Sequence, residues 1–285
     1  MISLLTFITI GLVLQQAYSQ SDPCDPQMIH IALSDAFQPT PASNSPIKII
    51  FHTVNQCSSA YISLKTSAGT QKILATAVNY YNEDYNRDKY YNSSYTGGNY
   101  TTYVHIFDLP QLDFSKTYKY TCYGYDNSFL SVAQGPFKFY LPSPQNQGQE
   151  TRVIMFGDMD DSENGMTTID QLKSLVQTDL TKISSFIHIG DMAYDLVSNG
   201  GRVGDDFMKI MQPITASMPY MVTGGNHDRF NNFSNFNLRF KMPMFDKSQN
   251  HYYSFNLGNI HFASFDFDVI LDYPKLKAGM LAWLE

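Results

Sequence analysis

The sequence predicts an all-β sandwich followed by an α/β domain built on a parallel sheet. Two observations predict this order. Residues 27–141 contain short runs in which apolar and polar residues alternate, separated by turn residues and without a helical period. After residue 150, apolar runs alternate with helical spacing, and three of those runs end in Gly-Asp or Gly-Asn.

Length and composition allow two domains of this kind. The chain has 285 residues, of which 43% are hydrophobic and 14% aromatic, enough to fill two ordinary cores or one large one. Its net charge is −7, and no basic stripe or Lys/Arg cluster appears along the sequence. This composition argues against a nucleic-acid partner and against adsorption to a membrane surface.

The first 19 residues are predicted to be a signal peptide. A compact apolar run covers residues 4–14, and Ala17 and Ser19 place small side chains before a cleavage point. The run is too short to cross a hydrocarbon core of about 30 Å, which disfavours a membrane anchor. We therefore expect secretion or delivery to a lysosome-like compartment, with no membrane attachment after cleavage.

The β-sandwich is predicted over residues 20–141. Six runs have the pattern of half-buried strands: 28–33, 47–51, 60–64, 102–106, 117–121 and 137–139. Three histidines fall in or beside these runs: His30, His52 and His105. Packed or exposed strand histidines are more common than ligands in such positions, so none is a candidate site residue.

A polar segment rich in proline and glycine, 142–150, is predicted to be a linker, and the α/β domain follows over 151–285. Strands are predicted at 153–156, 186–189 and 220–223, with helices at 166–183 and 205–212 between them. Two more strands, 251–255 and 260–265, precede a helix near 276–284. Because the chain stops inside that helix, we expect a C-terminally truncated domain, the N-terminal portion of a longer protein.

Two features of the sequence suit export. Sequons for N-glycosylation are present at Asn92, Asn99 and Asn232. Three cysteines are also present: Cys24, Cys57 and Cys122. An odd number means that at least one is free, pairs between chains, or has a partner beyond residue 285, and the sequence leaves the pairing open.

The candidate site residues follow three predicted strands. Asp158, Asp191 and Asn226 lie just past the strands at 153–156, 186–189 and 220–223, about one βαβ unit apart each time. The carboxyl edge of an open α/β sheet is where ligands bind, so three oxygen donors would meet in one crevice. Oxygen donors suit hard cations, and a bridging carboxylate can hold two ions roughly 3.5–4 Å apart.

Two further side chains complete the candidate site. Tyr194 follows Asp191 by three residues, close enough to bring a phenol to the same ion. A highly charged ion such as Fe³⁺ lowers the pKa of a phenol far below its usual value of about 10. His227 follows Asn226 directly and would face a bound phosphate, where it could protonate the leaving oxygen.

Three blocks of residues resemble the first three motifs of the purple acid phosphatases, a branch of the calcineurin-like metallophosphoesterases. They are Gly157-Asp158, Gly190-Asp191-Met192-Ala193-Tyr194 and Gly225-Asn226-His227-Asp228. The resemblance covers nearly all of the chain that follows the signal peptide. It implies a fibronectin-III-like N-terminal sandwich ahead of the catalytic domain, in the order found here.

The resemblance also implies roles. Asp158 and Tyr194 would bind Fe(III), Asp191 would bridge both metals, and Asn226 would bind a second divalent ion of iron, zinc or manganese. His227 would contact the substrate, and a metal-bound hydroxide would attack a phosphate monoester. The implied activity is that of a secreted acid phosphatase acting on small phosphate esters.

Two departures from the family pattern stand out. The first block usually reads Gly-Asp-x-Gly, whereas Asp160 takes the last place here, where a left-handed turn would have to tolerate it. The Val-x-x-His and Gly-His-x-His blocks that supply three further ligands are absent. His188 and His261 are expected in the core and His251 at the surface, so we expect the 285-residue chain to bind metal weakly and to be inactive.

Other readings stay open. A single Gly-Asp after a strand is more often a turn or a helix cap than a metal site, and only the joint pattern favours the latter. The alternatives are a non-catalytic secreted binding or structural protein with a degenerate site, and a phosphodiesterase on the same scaffold. The substrate, the second metal and the oligomeric state are not fixed by the sequence.

Overall fold

The structure is a computed structural model that describes residues 23–35, 46–83, 100–126, 133–145 and 150–285. The predicted signal peptide and the sequons at Asn92 and Asn99 lie outside the described residues, as does 146–149 of the predicted linker. None of the helices in the described part of the chain is long and apolar enough to cross a lipid bilayer.

The N-terminal region is a sandwich of two antiparallel sheets, which confirms the predicted all-β class. The described strands are β1 (Gln27–Leu33), β2 (Ile47–Thr53), β3 (Ser59–Thr66), β4 (Gly69–Leu74), β5 (Ala77–Glu83), β6 (Tyr100–Asp108), β7 (Lys116–Tyr125) and β8 (Ala133–Leu141). They form one sheet in the order β1-β2-β6-β5 and another in the order β4-β3-β7-β8. Strands β4 and β5 were missed because most of their residues are exposed, so they lack an apolar alternation.

The structure shows how the three cysteines are paired. Cys24, just before β1, forms a disulfide with Cys57, just before β3. The third, Cys122, is free and buried in β7. The bridge ties the start of the sandwich to the loop between its two sheets.

The second region is an α/β layer. Strands β9 (Val153–Phe156), β10 (Ser185–Ile189) and β11 (Tyr220–Thr223) form a parallel sheet in the order β11-β10-β9, as predicted. Helices α1 (Glu163–Thr178) and α2 (Arg202–Thr215) connect them. The elements that follow are α3 (Phe230–Arg239), α4 (Phe245–Ser248), the hairpin of β12 (Tyr252–Leu257) and β13 (Ile260–Phe265), α5 (Phe267–Asp272) and α6 (Pro274–Leu284).

Helix α1 ends earlier along the chain than predicted. Ser162 caps its start by accepting the backbone N–H of Gly165. At the other end the Asp179 carboxylate accepts both the N–H and the hydroxyl of Thr181, at 2.9 and 2.7 Å. This local turn replaces the next helical turn, so the helix ends at Thr178 instead of residue 183.

The two regions share a buried polar contact centred on Arg239, which we call the arginine seam. Its guanidinium is fully buried and donates to the carboxylate of Asp205 at 2.8 Å, to the side chain of Asn235 at 3.0 Å and to the carbonyl of Gly201 at 2.7 Å. From the sandwich side the hydroxyl of Tyr100 donates to Asp205 at 2.6 Å. A single arginine on α3 thereby satisfies groups from both regions.

The sandwich histidines are packed in the interior, which is one of the two placements that the sequence left open. His30, His52 and His105 are all buried. The ring of His30 contacts the carbonyl of Arg239 at 3.0 Å, so it extends the arginine seam. Burial lowers the pKa of His105 to about 4 and holds the pKa of His52 well below its usual value, with Arg239 adding to the effect at His52.

The burial of the other strand histidines differs in part from the prediction. His188 is buried in β10 as expected, with Nδ1 2.5 Å from the hydroxyl of Tyr220. The prediction for His251 was wrong, because it is buried and contacts Asp266 at 3.0 Å instead of facing solvent. The prediction for His261 was also wrong: its position on the exposed strand β13 leaves it outside the core.

Candidate active site

The ends of β9 and β10 are joined directly. Asp158 and Asp191 each adopt a left-handed backbone with φ of 53°. The N–H of Asp158 donates to the carbonyl of Gly190 at 3.1 Å, and the N–H of Met159 donates to the carbonyl of Asp191 at 3.2 Å. The two aspartates that the sequence singled out therefore leave their strands side by side, with backbone strain of the kind that gathers at functional sites.

Glycines allow the third strand end to approach equally closely. A Cβ on Gly225 would lie 2.4 Å from Oδ1 of Asp191, and a Cβ on Gly190 would lie 2.8 Å from the Cα of Gly225. Either contact is impossible for a real side chain. The glycines of the motif blocks are needed because the turn after β11 packs directly on the turn after β10.

Asp158 and Tyr194 are in contact. The Tyr194 hydroxyl donates to Oδ1 of Asp158 at 2.9 Å. Partial burial, the bond to Asp158 and the nearby charge of Asp191 raise the pKa of Tyr194 to about 12. The phenol thus lies where negative charge is concentrated, and an added cation would relieve that repulsion.

Asp191 and His227 are likewise brought together. Oδ1 of Asp191 accepts the backbone N–H of His227 at 2.9 Å. The His227 ring packs edge-on against Tyr194, with 4.8 Å between ring centres, and its Nδ1 lies 2.6 Å from Oδ1 of the buried Asp195. The sequence analysis did not identify Asp195, because it is one of many carboxylates and follows a tyrosine. Nothing in that position indicates that its side chain is buried.

A second missed residue, Asp228, anchors the turns. Its buried carboxylate accepts the backbone N–H groups of Gly225, Asp191 and Met192, at 2.9, 2.9 and 3.3 Å. Burial raises the pKa of Asp228 to about 7, against the opposing effect of these hydrogen bonds. Its place as the last residue of the Gly-Asn-His-Asp block is the one sequence signal that could have identified it.

The remaining residues that the sequence singled out form no hydrogen bond with the candidate site residues described above. Asn226 lies exposed in the turn between Gly225 and His227, at the same sheet edge. Asp160 does not adopt the left-handed backbone that its place in the motif suggested; it accepts from the N–H of Ser162 at 3.0 Å and so helps to start α1. Asn232, the described sequon, is exposed.

The donor set fits a hard cation in part. Two carboxylates and a phenol lie at one edge, with Asn226 in the turn beside them, and all four side chains offer oxygen donors of the kind that hard cations prefer. Among the described residues, no group of three or more His, Cys, Asp or Glu side chains is arranged to hold a metal ion. His227, the one histidine at this edge in that part of the chain, is engaged by Asp195.

Comparison with known proteins adds to the geometry. Residues 151–279 match the family model described as calcineurin-like phosphoesterase. An acid phosphatase type 7 of Danio rerio is 34% identical over 182 residues, which cover 63% of this chain and 38% of that protein. Purple acid phosphatase 18 of Arabidopsis thaliana is 26% identical over 281 residues, covering 94% of this chain and 55% of its own.

The fold has a solved counterpart. A purple acid phosphatase isolated from yellow lupin (Lupinus luteus) seeds superimposes with a TM-score of 0.67 over 93% of this chain and 49% of its own, at 17% sequence identity. The chain therefore spans about half of that structure and about two fifths of the zebrafish relative. The match includes both regions, so the order of a strand-rich region and an α/β domain is confirmed, whereas the fibronectin-III-like detail stays a prediction.

Proposed function

The chain is a metallophosphoesterase of the purple acid phosphatase type, and on this premise we propose that the protein hydrolyses small phosphate monoesters in a metal-dependent reaction. The observation that supports the proposal most is the convergence of Asp158, Asp191 and Tyr194 with the turn that carries His227. Residues from three strand ends meet at the edge where α/β sheets bind ligands.

We propose that Asp158, Asp191, Tyr194 and Asn226 hold the metal, with Asp191 between the other donors and Tyr194 favouring Fe(III). A second ion of iron, zinc or manganese is part of the same proposal. Metal ions held there supply positive charge that polarises a phosphoryl oxygen and activates water. Tyr194 would give up its proton and its bond to Asp158 when it binds a cation.

His227 is proposed to act on the substrate. Because Nδ1 is held by the buried carboxylate of Asp195, the tautomer with a proton on Nδ1 is favoured and the ring is fixed. Nε2 is then the ring nitrogen that can contact a phosphate oxygen or, when protonated, supply a proton to the leaving group. Asp195 is a positioning residue in this scheme.

The decisive experiment is a chimera that joins residues 20–285 to the part of the zebrafish acid phosphatase that follows its matched segment. We expect it to hydrolyse p-nitrophenyl phosphate at acid pH and to lose activity with a chelator. Asp191→Asn should lower the rate by about 10³-fold. The matched control is Asp170→Asn, which removes the same charge from an exposed site on α1 where Asp170 pairs with Lys173.

Each outcome bears on the proposal. Equal activity in the two aspartate variants, or a folded chimera without activity, would contradict it and favour the non-catalytic binding or structural alternative. Faster hydrolysis of bis(p-nitrophenyl) phosphate than of the monoester would favour the phosphodiesterase alternative. The 285-residue chain by itself is proposed to be inactive and to retain metal only substoichiometrically after dialysis, because its described donors lack histidine nitrogens beyond the engaged His227.

Secretion is part of the proposal. The Cys24–Cys57 disulfide suits an oxidising compartment, and the predicted signal peptide and the exposed Asn232 agree with export. Expression in cultured animal cells should deliver the chain to the medium with a mass that falls on treatment with an N-glycosidase. Retention of an unmodified chain in the cytosol would contradict this part.

A further inference from the structure

Three lysines are aligned across one sheet of the sandwich. Lys65 on β3 is the cross-strand partner of Lys119 on β7, and Lys119 is the partner of Lys138 on β8. All three are exposed. With neighbouring strands about 4.8 Å apart, their Cα atoms span about 10 Å in one row, which we call the lysine ladder.

The rows beside the lysine ladder on this face are mostly polar or aromatic, and the exposed Leu74 lies opposite Tyr61. The inward positions Ile62, Leu64, Tyr120, Cys122 and Phe139 are buried, so the alternate positions face outward. The next outward row pairs Ser63 with Thr121 and with Lys72, and the row beyond pairs Tyr61 with Tyr123. No aspartate or glutamate occupies an outward position of the described strands β3, β4, β7 and β8.

The charges of the lysine ladder have no ion-pair partner among the described residues. Elsewhere Lys48, Lys173, Lys182 and Lys209 each form an ion pair with an aspartate. Within the described residues no ladder lysine has a carboxylate within ion-pair distance. Like charges placed directly opposite on neighbouring strands repel, and this occurs in a chain whose net charge is −7.

We propose that this face of the sandwich binds a sulfated polysaccharide. Sulfate groups along a sugar chain would offset the repulsion within the lysine ladder, since three lysines share one row across the sheet. The hydroxyls of Ser63 and Thr121, one row away, offer hydrogen-bond partners for the sugar hydroxyl groups between sulfates.

The aromatic row adds further hydrogen-bonding groups for a sugar chain. Tyr61 and Tyr123 stack on each other with ring centres 4.6 Å apart and planes within 8°, and the Lys72 ammonium lies 4.0 Å from the centre of the Tyr61 ring. Rings held flat against one another in this way present their edges and phenol groups, which can form hydrogen bonds with sugar hydroxyl groups. The proposal does not depend on the proposed hydrolysis, because the lysine ladder lies on β3, β7 and β8 of the sandwich, whereas the candidate site residues follow strands of the α/β layer.

The test compares two triple variants of the 285-residue chain by heparin binding in isothermal titration calorimetry. Lys65→Thr, Lys119→Thr and Lys138→Thr together remove the lysine ladder. The control variant replaces Lys173, Lys182 and Lys209 by glutamine, which removes the same net charge from helices and loops of the α/β layer. Thermal melting verifies that both variants fold.

We expect the unmodified chain and the control variant to bind heparin with similar Kd, and the ladder variant to bind at least about tenfold more weakly with a smaller salt dependence. Fully desulfated heparin should not bind. Should the triple ladder variant fail to fold, Lys119→Thr alone removes the central charge and should weaken binding by a smaller factor.

Three results would overturn the proposal. If neither heparin nor dextran sulfate binds the unmodified chain, the proposed binding of sulfated polysaccharides is wrong. Equal weakening in both triple variants would show that net charge alone matters. Binding to phosphatidylserine vesicles through the lysine ladder, without binding to heparin, would show that the face recognises a membrane instead.

Discussion

Two polar clusters of this molecule are built in opposite ways. The arginine seam contains its own cation: Arg239 is buried and satisfied by Asp205, Asn235 and a backbone carbonyl. The strand-end cluster is formed by two carboxylates and a phenol, those of Asp158, Asp191 and Tyr194, and among the described residues no lysine or arginine forms an ion pair with either carboxylate. The seam therefore contains its own counter-charge, whereas at the strand ends the proposed metal would supply it.

The largest expected effect breaks the arginine seam. Arg239→Met keeps much of the side-chain volume but removes the guanidinium, which leaves the Asp205 carboxylate without its counter-charge and the Gly201 carbonyl without the arginine donor. We expect the free energy of unfolding to fall by about 3 kcal/mol in urea titrations. The control is Arg152→Met, which removes an exposed arginine paired with the exposed Glu150 and should have no measurable effect.

A smaller, pH-dependent effect comes from His52 beside the seam. Burial holds its pKa well below the usual value, and the neighbouring basic groups Arg239, His30, His105 and Lys241 add to this. The unfolded chain therefore binds a proton near pH 6.5 that the folded chain does not bind. Stability from this residue is present above about pH 6.5 and is lost as the pH falls, by about 1.4 kcal/mol per pH unit.

His52→Gln should accordingly reduce the slope of unfolding free energy against pH between about pH 6.5 and about pH 5. The matched control is His261→Gln, since His261 is exposed on β13 and should leave the slope unchanged. A slope that is identical in the two variants would mean that His52 is protonated in the folded protein.

The smallest expected effect is at the strand ends. Tyr194→Phe removes the bond to Asp158, but the Tyr194 side chain is 37% exposed and water can replace the hydroxyl. We expect a loss of less than about 1 kcal/mol in unfolding free energy. Tyr220→Phe, which removes a buried bond to His188, should cost about 1–3 kcal/mol. Comparable losses in the two variants would show that the strand-end cluster is a structural element like the seam.

Much of the fold could be read from the sequence because its signals are local. Strands β9 and β11 have the predicted bounds, since each is a short apolar run that ends at a glycine or a polar turn. Strands β4 and β5 were missed because their exposure removes the alternation. Helix α1 was drawn too long because the turn at Asp179 depends on side-chain hydrogen bonds and leaves the apolar spacing unchanged.

The candidate site was predictable in outline for a topological reason. Parallel strands end at one edge, so Asp158 and Asp191 had to lie near each other once the strands were identified. The supporting groups were not predictable, except that Asp228 belongs to the Gly-Asn-His-Asp block. Asp195 and Asp228 act through burial and through contacts with turns distant in sequence, and His251 pairs with Asp266 in a core that periodicity does not describe.

The lysine ladder is another feature that could not be predicted from the sequence. No Lys/Arg cluster appears along the chain, yet cross-strand register places Lys65, Lys119 and Lys138 in one row. Charge patterning along a sequence therefore understates the charge patterning of a folded β-sheet, because residues far apart in number become neighbours.

The arginine seam also bears on how such a gene can change. Arg239 comes from the α/β layer, while Tyr100 and Met28, which complete its surroundings, come from the sandwich. A recombination event or an alternative transcript could separate the coding regions for the two parts. The product that kept Arg239 would then lack the sandwich residues that surround its charge. The side chain that buries its charge in the α/β layer thus depends on residues of the sandwich for part of its surroundings.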